Sequence, residues 1–172
     1  MSTDKTLCGT DIIEALEASG IKIVVALPDI VTSAGLLWPL ASHPTIPLIR
    51  VCKEDEGISI CAAMSYCDKR ALLLMQNTGL FDSINALRHI AVEYSHPICM
   101  MVGLQGIEPN VLPHESNMYS IRIVEPILDV MGVEHKLLRE ASDVAKIGPA
   151  IDHAYDERKP VVMLVGSRPE AP

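Results

Sequence analysis

Three consecutive carboxylates, Glu54, Asp55 and Glu56, stand between an apolar segment and a run of small residues in VCKEDEGISICAAMSYC, residues 51–67. Carboxylates at the start of a helix are commonly solvated and stabilise its positive end. A carboxylate that points inward can instead share a proton with a bound ligand, if its surroundings are apolar. The pattern therefore indicates either a solvated helix start or an acid that acts on a ligand.

The elements that must position these carboxylates are short apolar strands. Six predicted strand segments, most of them apolar, alternate with predicted helices, namely IKIVVAL, IPLIRV, ALLLMQN, PICMMVGL, VEHKLL and PVVMLVG. This alternation predicts an α/β fold of three layers (α/β/α) with a mainly parallel six-stranded sheet. In such sheets ligands bind beyond the carboxyl ends of the strands. The first three strands are followed by polar segments, so we expect a site where these meet: LPDIVTS, KEDEG and QNTGLFDSIN.

Two other segments give local predictions. GTDIIEALEASG, residues 9–20, is predicted to be a helix that Thr10 or Asp11 caps and Gly20 ends. Residues 105–121, QGIEPNVLPHESNMYSI, are predicted to form a long loop. Loops of this length in a compact domain are usually functional or mobile.

Composition limits the class of protein. The chain has 172 residues, which suits a single domain spanning 1–172. Its net charge of −8 weighs against nucleic acid and anionic membrane surfaces as partners. We expect no signal peptide, because the start is polar, and no apolar run approaches the ~18 residues of a membrane span. The five cysteines include no CxxC pair and are expected to be reduced and buried, as in a cytoplasmic protein.

Common phosphate-binding and nucleophile motifs are missing from the sequence. There is no GxGxxG segment after a strand, no GxxxxGK[ST] and no GxSxG. The six histidines form no HxxxH or HExxH spacing, so no metal site is assigned to this chain. The chain is therefore expected either to bind a small ligand by itself or to need a partner that holds the rest of the site.

Three segments carry a resemblance to a known family: IRVCKEDEGISICAAMSY, ALLLMQNTGLFDSINAL and PICMMVGLQG. They resemble the pyrimidine-binding (PYR) domain of thiamine-diphosphate-dependent decarboxylases. The likeness is greatest to the α subunits of sulfopyruvate decarboxylases and the N-terminal domain of phosphonopyruvate decarboxylases. It extends over roughly residues 8 to 166 and implies a PYR-type fold for the single domain.

In that family a glutamate at the start of the helix after the second strand hydrogen-bonds N1′ of the cofactor's aminopyrimidine. The resemblance implies that Glu56 is this residue, with Glu54 and Asp55 as the alternatives. Proton sharing with N1′ favours the ring tautomer that can take the thiazolium C2 proton, and the cofactor performs the carbanion chemistry. We expect dry surroundings for this carboxyl from its apolar neighbours, Ile58, Ile60, Cys61 and Ala62.

The segment after the third strand also matches the family. The resemblance implies that Asn77, Thr78 and Gly79 bind the cofactor, near the pyrimidine or the reacting carbon. Thr78 and Asn85, seven residues apart as in the family, are expected to contact the substrate. Other interpretations stay open, because Thr78 and Gly79 could form a helix N-cap turn and Asn85 could be an ordinary exposed residue.

Two further residues are predicted on the same basis. Asp29, in the loop after the first strand, would be an acid–base or substrate-positioning group, or would only cap the next helix. His114, in the predicted long loop, would transfer protons, since histidine titrates near neutral pH. Its alternative is a solvent-exposed loop histidine.

The resemblance also predicts partners. In the family a second domain with a GDG…N segment holds Mg²⁺ and the diphosphate, and these 172 residues contain no such segment. We therefore expect thiamine diphosphate as cofactor, Mg²⁺ held by a β subunit, and a hetero-oligomer built from dimers that is active only as a complex.

The predicted function is that of the α subunit of a decarboxylase for a small 2-oxo acid, such as sulfopyruvate or phosphonopyruvate. The nearest cations in sequence for such a substrate are Arg50, Lys53 and Arg88. The alternative is a non-catalytic α/β module that binds a small ligand or regulates a partner. A neighbouring reading frame that encodes a GDG segment and a downstream Asn would favour the enzyme.

Overall fold

The sheet at the centre of the fold is seen in a computed structural model that describes residues 6–171. Its strands are β1 Ile23–Ala26, β2 Leu48–Arg50, β3 Ala71–Gln76, β4 Cys99–Gly103, β5 Glu134–Leu138 and β6 Val161–Val165. The six strands lie in the order β2-β1-β3-β4-β6-β5, and all neighbours are parallel. The predicted three-layer fold is confirmed, and the sheet is wholly parallel.

Helical segments connect the strands. The α-helices are α1 Gly9–Ala18, α2 Trp38–Ala41, α3 Glu54–Tyr66, α4 Asn77–Asp82, α5 Ile84–Ala86, α6 Tyr119–Arg122, α7 Val124–Val130 and α8 Ile147–Glu157. Two π-helical segments, Ser33–Leu37 and Leu87–Glu93, adjoin α2 and α5, and two 3₁₀ segments are Pro113–Glu115 and Ala141–Lys146. Within residues 6–171, none of these helices combines the length and the apolar character that crossing a bilayer requires.

The helices cover both faces of the sheet, because successive side chains of a strand point to opposite sides. On one face Val24, Leu72 and Met101 form a core with residues of α1 and α8. On the other face Leu73 and Met100 pack with residues of α3, α4 and α7. Burial on both faces explains why the central strands read as continuous apolar runs rather than as alternating patterns.

The sequence predicted the end of α1 correctly but not the residue that caps its start. The helix begins after Cys8, and no side chain caps it. The prediction that Thr10 or Asp11 caps it is therefore wrong, since both residues lie within its first turn. At the other end Gly20 has a φ of +77°, a left-handed conformation that glycine adopts at little cost. The predicted end of this helix is confirmed.

The loop between β4 and α6 is irregular, as predicted, but it is held together by one carboxylate. Glu108 accepts hydrogen bonds from the Ser116 hydroxyl at 2.6 Å and from the Asn117 backbone N–H at 2.9 Å. The Ser116 bond is the main cause of a lowered pKa for the Glu108 carboxyl. Because its two arms are joined in this way, the loop has a defined conformation.

All five cysteines are free, but they are not all buried as the sequence indicated. Cys61 and Cys99 lie in the core, whereas Cys52 and Cys67 are exposed. Burial raises the pKa of the Cys61 thiol to about 12. That thiol is therefore neutral at physiological pH and acts as a small apolar side chain.

Candidate functional site

The carboxyl ends of β3 and β4 bring several polar side chains together. These strands pair with Gln76 opposite Gly103, so the residues that follow each strand are neighbours across the edge of the sheet. Asn77 and Thr78 follow β3 directly, and Gln105 follows β4 after one residue. The site expected at this edge is therefore built on the two central strands.

Asn77 is the most buried polar residue of this group, with 1% of its surface exposed. Its Oδ1 atom accepts a hydrogen bond from the Gln105 backbone N–H at 3.1 Å. This bond fixes the orientation of the amide, because the atom that faces an N–H must be an acceptor. The Nδ2 group is consequently a buried donor, and no acceptor for it lies within residues 6–171.

An amide network lies beside Asn77. The Nε2 group of Gln76 donates to Thr78 Oγ1 at 2.9 Å and also to Gln105 Oε1. These bonds hold the exposed side chains of Thr78 and Gln105 at the edge of the sheet. Gln105 is absent from the residues that the sequence indicated, and its only signal is its place directly after the fourth apolar segment.

Glu54 reaches across to the first turn of α4. A β-carbon placed on Gly79 would lie 2.2 Å from Oε1 and 2.3 Å from Cδ of Glu54. The half-buried Glu54 side chain therefore occupies the space that a side chain at position 79 would need. A larger residue at position 79 would require the flexible Glu54 side chain to shift, and the φ of Gly79 lies outside the left-handed region.

Glu56, the expected cofactor-activating residue, has a different environment. It is exposed, and its Oε2 atom accepts the backbone N–H groups of Cys52 at 3.0 Å and Lys53 at 3.3 Å. This is the return half of a capping box, in which a carboxylate at the third helical position satisfies donors at the helix start. In the chain taken alone the Glu56 side chain turns back over its own helix terminus, and its cofactor-activating role stays a prediction.

Asp29 is buried, and both of its carboxylate oxygens accept hydrogen bonds from residues of its own loop. Oδ1 accepts the backbone N–H groups of Val31 at 2.7 Å and Thr32 at 2.8 Å, and Oδ2 accepts the Thr32 hydroxyl. The loop lies against β4, since a β-carbon on Gly103 would be 2.8 Å from Oδ1. This geometry matches the capping alternative, and the acid–base role of Asp29 stays a prediction.

Asn85 and His114 lie outside this group of polar side chains. Asn85 is exposed on α5, and its Oδ1 atom accepts a hydrogen bond from Arg88 at 3.0 Å. His114 is exposed in the Pro113–Glu115 turn, which packs against α6 and α7. The substrate role of Asn85 and the proton-transfer role of His114 stay predictions.

The three cations nearest to the site in sequence all have partners. Lys53 pairs with Asp82 at 3.3 Å, and Arg88 pairs with Glu93. The guanidinium of Arg50 lies over the Trp38 ring, 5.7 Å from its centroid. An additional anionic group on a ligand would therefore need another cation or the rearrangement of one of these contacts.

A cleft of about 480 Å³ opens beside Gln105 at the same edge of the sheet. Its apolar lining includes Ile30, Leu104 and Ile107, and Arg168 lies at its border. Across the described part of the chain, no carboxylate pairs with the Arg168 guanidinium. The cleft therefore has an apolar lining and, at its border, a guanidinium that pairs with no carboxylate of the described residues.

Two polar groups at this edge lack a hydrogen-bond partner within residues 6–171. Asn77 offers a buried N–H without an acceptor, and Glu54 offers a carboxylate without a donor. Thr78 is held in place beside them. Within residues 6–171, no three His, Cys, Asp or Glu side chains are grouped so that they could hold a metal ion.

No family model matches this chain. Three relatives are similar over most of it. The sulfopyruvate decarboxylase of Methanosarcina acetivorans is 25% identical over 158 residues, which are 91% of this chain but only 39% of that protein. The sulfopyruvate decarboxylase subunits alpha of Methanothermobacter thermautotrophicus and Methanocaldococcus jannaschii are 27% and 28% identical, over 87% and 89% of this chain. This chain covers 90% and 89% of those two subunits.

Two solved structures share the fold. An enzyme from Mycobacterium smegmatis assigned to the thiamin diphosphate-dependent class superposes with a TM-score of 0.71 at 15% identity, over 98% of this chain and 32% of that one. Benzoylformate decarboxylase from Polynucleobacter necessarius has a TM-score of 0.65 at 15% identity, over 92% of this chain and 29% of that one. The resemblance drawn from the sequence is therefore confirmed, and the chain is a relative of sulfopyruvate decarboxylase α subunits with a PYR-type fold.

Proposed function

We propose that this chain is the α subunit of a thiamine-diphosphate-dependent decarboxylase that acts on a small 2-oxo acid together with a β subunit. The observation that carries the proposal is the match to two relatives named sulfopyruvate decarboxylase subunit alpha, which this chain covers by 90% and 89%. The free carboxylate and the free amide donor at the carboxyl edge of the sheet add support, because both would pair with an aminopyrimidine.

When bound, thiamine diphosphate supplies the carbanion chemistry by which a 2-oxo acid loses CO₂. The part of this chain is to orient the aminopyrimidine and to hold a proton. A carboxyl in the first turn of α3 shares that proton with a ring nitrogen, and the sequence resemblance assigns the role to Glu56, with Glu54 and Asp55 as alternatives. Asn77 donates its Nδ2 hydrogen to a ligand acceptor, and Thr78, oriented by Gln76, faces the substrate side.

Asp29 has a positioning role in this proposal. Its carboxylate holds the backbone of Val31 and Thr32, and it keeps the loop close to Gly103. That loop borders the cleft beside Gln105. Asp29 thereby shapes the edge at which substrate would enter, while both of its carboxylate oxygens keep their hydrogen bonds to Val31 and Thr32.

Sulfopyruvate or phosphonopyruvate would bring a second acidic group that needs a positive charge. Lys53 and Arg88 already pair with carboxylates. We therefore propose that the β subunit supplies this positive charge. Within the present chain, Arg168 at the border of the cleft is the alternative source. A substrate without a second acidic group would need neither a cation from the β subunit nor Arg168.

Mg²⁺ and the diphosphate belong to the β subunit in this proposal. Two of the matched relatives are named as alpha subunits, and the longer relative from M. acetivorans continues well beyond the matched 39%. Both observations support a second polypeptide or domain as the remainder of the enzyme.

The test is to tag this chain in its native host, purify the complex that forms, and measure CO₂ release from sulfopyruvate, phosphonopyruvate and pyruvate. The expected result is CO₂ release from at least one of these acids when thiamine diphosphate and Mg²⁺ are present, and none when either is removed. A complex that decarboxylates no 2-oxo acid would contradict the proposal and favour a non-catalytic binding module.

A further inference from the structure

The cleft beside Gln105 is built by loops that leave the sheet at its carboxyl edge. Its lining includes Ile30 after β1, Leu104 and Ile107 after β4, and Arg168 after β6. Small-molecule pockets in proteins typically have volumes of about 300–1,000 Å³, apolar walls and a few polar groups that orient the ligand. The cleft, at about 480 Å³, has the size and the lining of such a pocket.

Ile30 is a large apolar side chain of this lining that the chain leaves uncovered. It is 57% exposed. Its loop is held in place, because the Asp29 carboxylate accepts the backbone N–H groups of Val31 at 2.7 Å and Thr32 at 2.8 Å. A ligand with apolar surface that covers Ile30 removes this surface from water, which favours binding.

The backbone is held on both sides of Arg168. Before it, the Gly166 N–H donates to the Leu138 carbonyl at 2.8 Å. After it, the Glu170 N–H donates to the Leu7 carbonyl at 2.8 Å. Arg168 therefore extends from a fixed segment of chain. A fixed backbone favours recognition, because less conformational freedom is lost when a ligand binds.

The guanidinium of Arg168 is available to an anion. Arg168 is exposed, and among residues 6–171 it forms no salt bridge. A guanidinium can bind a carboxylate or a phosphate-like group through two parallel hydrogen bonds. A charged group at the far end of a ligand in the cleft could therefore bind Arg168 without displacing a carboxylate of the described chain.

The cleft adjoins the polar network that follows β3. Gln105 lines the cleft, and its side chain bonds to Gln76, which also donates to Thr78 Oγ1 at 2.9 Å. Gln105 thus belongs both to the cleft and to the polar group beside which the cofactor ring is proposed to bind. The cleft combines this polar end with an apolar lining and a cation at its border.

We infer that the cleft receives the side chain of the substrate, and that this substrate is a 2-oxo acid whose linear apolar chain ends in an anionic group bound by Arg168. The inference rests on the proposed function and narrows its substrate class. Sulfopyruvate and phosphonopyruvate have only three carbon atoms and would leave most of the cleft unfilled. For such short acids the β subunit remains the proposed source of positive charge. A longer chain fills the cleft and covers Ile30.

The experiment measures kcat/KM for CO₂ release by the purified complex with thiamine diphosphate and Mg²⁺. The substrates are sulfopyruvate, 2-oxobutanoate, 2-oxohexanoate and 2-oxoadipate. The last two have the same number of carbon atoms and differ in whether the chain ends in a methyl group or a carboxylate. This pair separates the effect of chain length from the effect of the terminal charge.

Two variants and two matched controls are assayed with each substrate. The variants are Arg168→Gln and Ile30→Ser. The control for the first is Arg158→Gln, the same change in an exposed arginine that follows α8 at the opposite edge of the sheet. The control for the second is Val130→Ser, in an apolar side chain that is 90% exposed at the end of α7 and lies outside the cleft.

The wild-type complex should prefer the longer substrates. We expect kcat/KM to rise by about 3- to 5-fold for each methylene group added between 2-oxobutanoate and 2-oxohexanoate, because each group is removed from water. 2-Oxoadipate should gain a further factor of about 10 or more from a charge-assisted hydrogen bond.

The variants should lose different parts of this preference. Arg168→Gln should remove the advantage of 2-oxoadipate over 2-oxohexanoate and leave 2-oxohexanoate unchanged. Ile30→Ser should lower kcat/KM for both long acids by about 3-fold or more and have little effect on 2-oxobutanoate. Both controls should match the wild type with every substrate.

Equal kcat/KM values for 2-oxobutanoate and 2-oxohexanoate would overturn the inference, and they are the result expected if a segment of the β subunit fills the cleft. An advantage of 2-oxoadipate that survives Arg168→Gln would overturn the role of Arg168. CO₂ release from sulfopyruvate alone would overturn the inference and uphold the proposed function. Failure to release CO₂ from any of the acids would instead contradict the proposed function.

Discussion

Asn77 accepts the backbone N–H of Gln105 through Oδ1 at 3.1 Å, and this bond leaves its Nδ2 group buried and unpaired within residues 6–171. The bond joins the ends of β3 and β4. The need for a donor at position 77 can be tested by replacing Asn77 with aspartate. A carboxylate has the same shape as the amide but has no N–H donor.

Asn77→Asp keeps the acceptor for Gln105 and replaces the buried donor with a second oxygen. We expect the free energy of unfolding at pH 7 to fall by about 2–3 kcal/mol, because a charged group would be buried with one of its oxygens left without a donor. Burial raises the folded-state pKa of the new carboxyl above its unfolded value of about 3.9, so stability is lost as pH rises through that interval. Urea unfolding at pH 5 and pH 7 measures both effects.

The control for this prediction is Asn85→Asp. Asn85 is exposed on α5, so the same change should alter the free energy of unfolding by no more than about 0.5 kcal/mol. Equal losses for the two variants would mean that Asn77 is not held in a dry environment.

Gly79→Ala should be coupled energetically to Glu54. The new methyl group would meet the Glu54 side chain at 2.2–2.4 Å, so part of the usual gain from replacing a helical glycine by alanine is lost. In a Glu54→Ala background the clash is absent. We expect alanine at position 79 to be more favourable there by about 1 kcal/mol, as a double-mutant cycle of urea unfolding would show.

Gly148→Ala is the matched control for this cycle. Its β-carbon would lie 3.5 Å from the Ser19 hydroxyl, an ordinary contact far along the chain from Glu54. Additive effects of Gly148→Ala and Glu54→Ala are expected. Additivity of Gly79→Ala and Glu54→Ala as well would show that the two side chains do not meet.

Glu56→Ala should destabilise the protein even without any ligand. It removes the acceptor of the Cys52 and Lys53 backbone N–H groups, and loss of such a cap costs about 1 kcal/mol. Glu56→Gln keeps an acceptor oxygen and should cost less. The difference between the two variants in urea unfolding at pH 7 is the measure, and identical stabilities would argue against the cap.

Stability should fall in mild acid because of His96. Burial, and then the positive charge of Arg158, lower the pKa of this imidazole below its usual value near 6.5. Its Nδ1 atom lies 3.0 Å from Ser65 Oγ, and its ring packs edge-on against Tyr66. The unfolded chain therefore takes up the proton first, and the contribution of His96 is complete above the unfolded pKa and declines as pH falls from there toward the folded pKa.

His96→Gln should reduce the loss of stability between about pH 7 and about pH 5.5. The comparison variant is His114→Gln, because His114 is exposed. Thermal unfolding of the three proteins across this range is the measurement. A pH profile of His96→Gln that matches the wild type would show that the imidazole is not buried in its neutral form.

Much of the fold could be predicted because parallel strands that are covered on both faces need continuous apolar runs. All six predicted strands are present, and each lies within its predicted segment, although the fifth segment, VEHKLL, is half polar and forms an edge strand. The cap of α1 could not be predicted in the same way. Thr10 and Asp11 have suitable side chains, but the helix starts at Gly9, so its N-cap position is Cys8 and neither residue occupies it.

The places of the candidate site residues in the fold were predicted in outline, but their contacts were not. Asn77, Thr78 and Gly79 do lie at the carboxyl edge of the sheet, as their place after an apolar strand indicated. Gln105 was missed because its nearness to Asn77 depends on the register of β3 and β4, which no local pattern contains. The spacing of Glu54 from Gly57, Ile58 and Cys61 was a usable signal for its orientation, once the helix start was known.

The sequence by itself determined the parallel α/β fold and the edge of the sheet at which Asn77, Thr78 and Gly79 lie, because strand burial and chain order follow from apolar patterning. Only the tertiary structure decided what each carboxylate of α3 does. The helix begins at Glu54, so Glu54 faces α4 while Glu56 turns back to the open N–H groups of its own first turn. That choice depends on helix phase and on the space left by Gly79, and both are properties of packing.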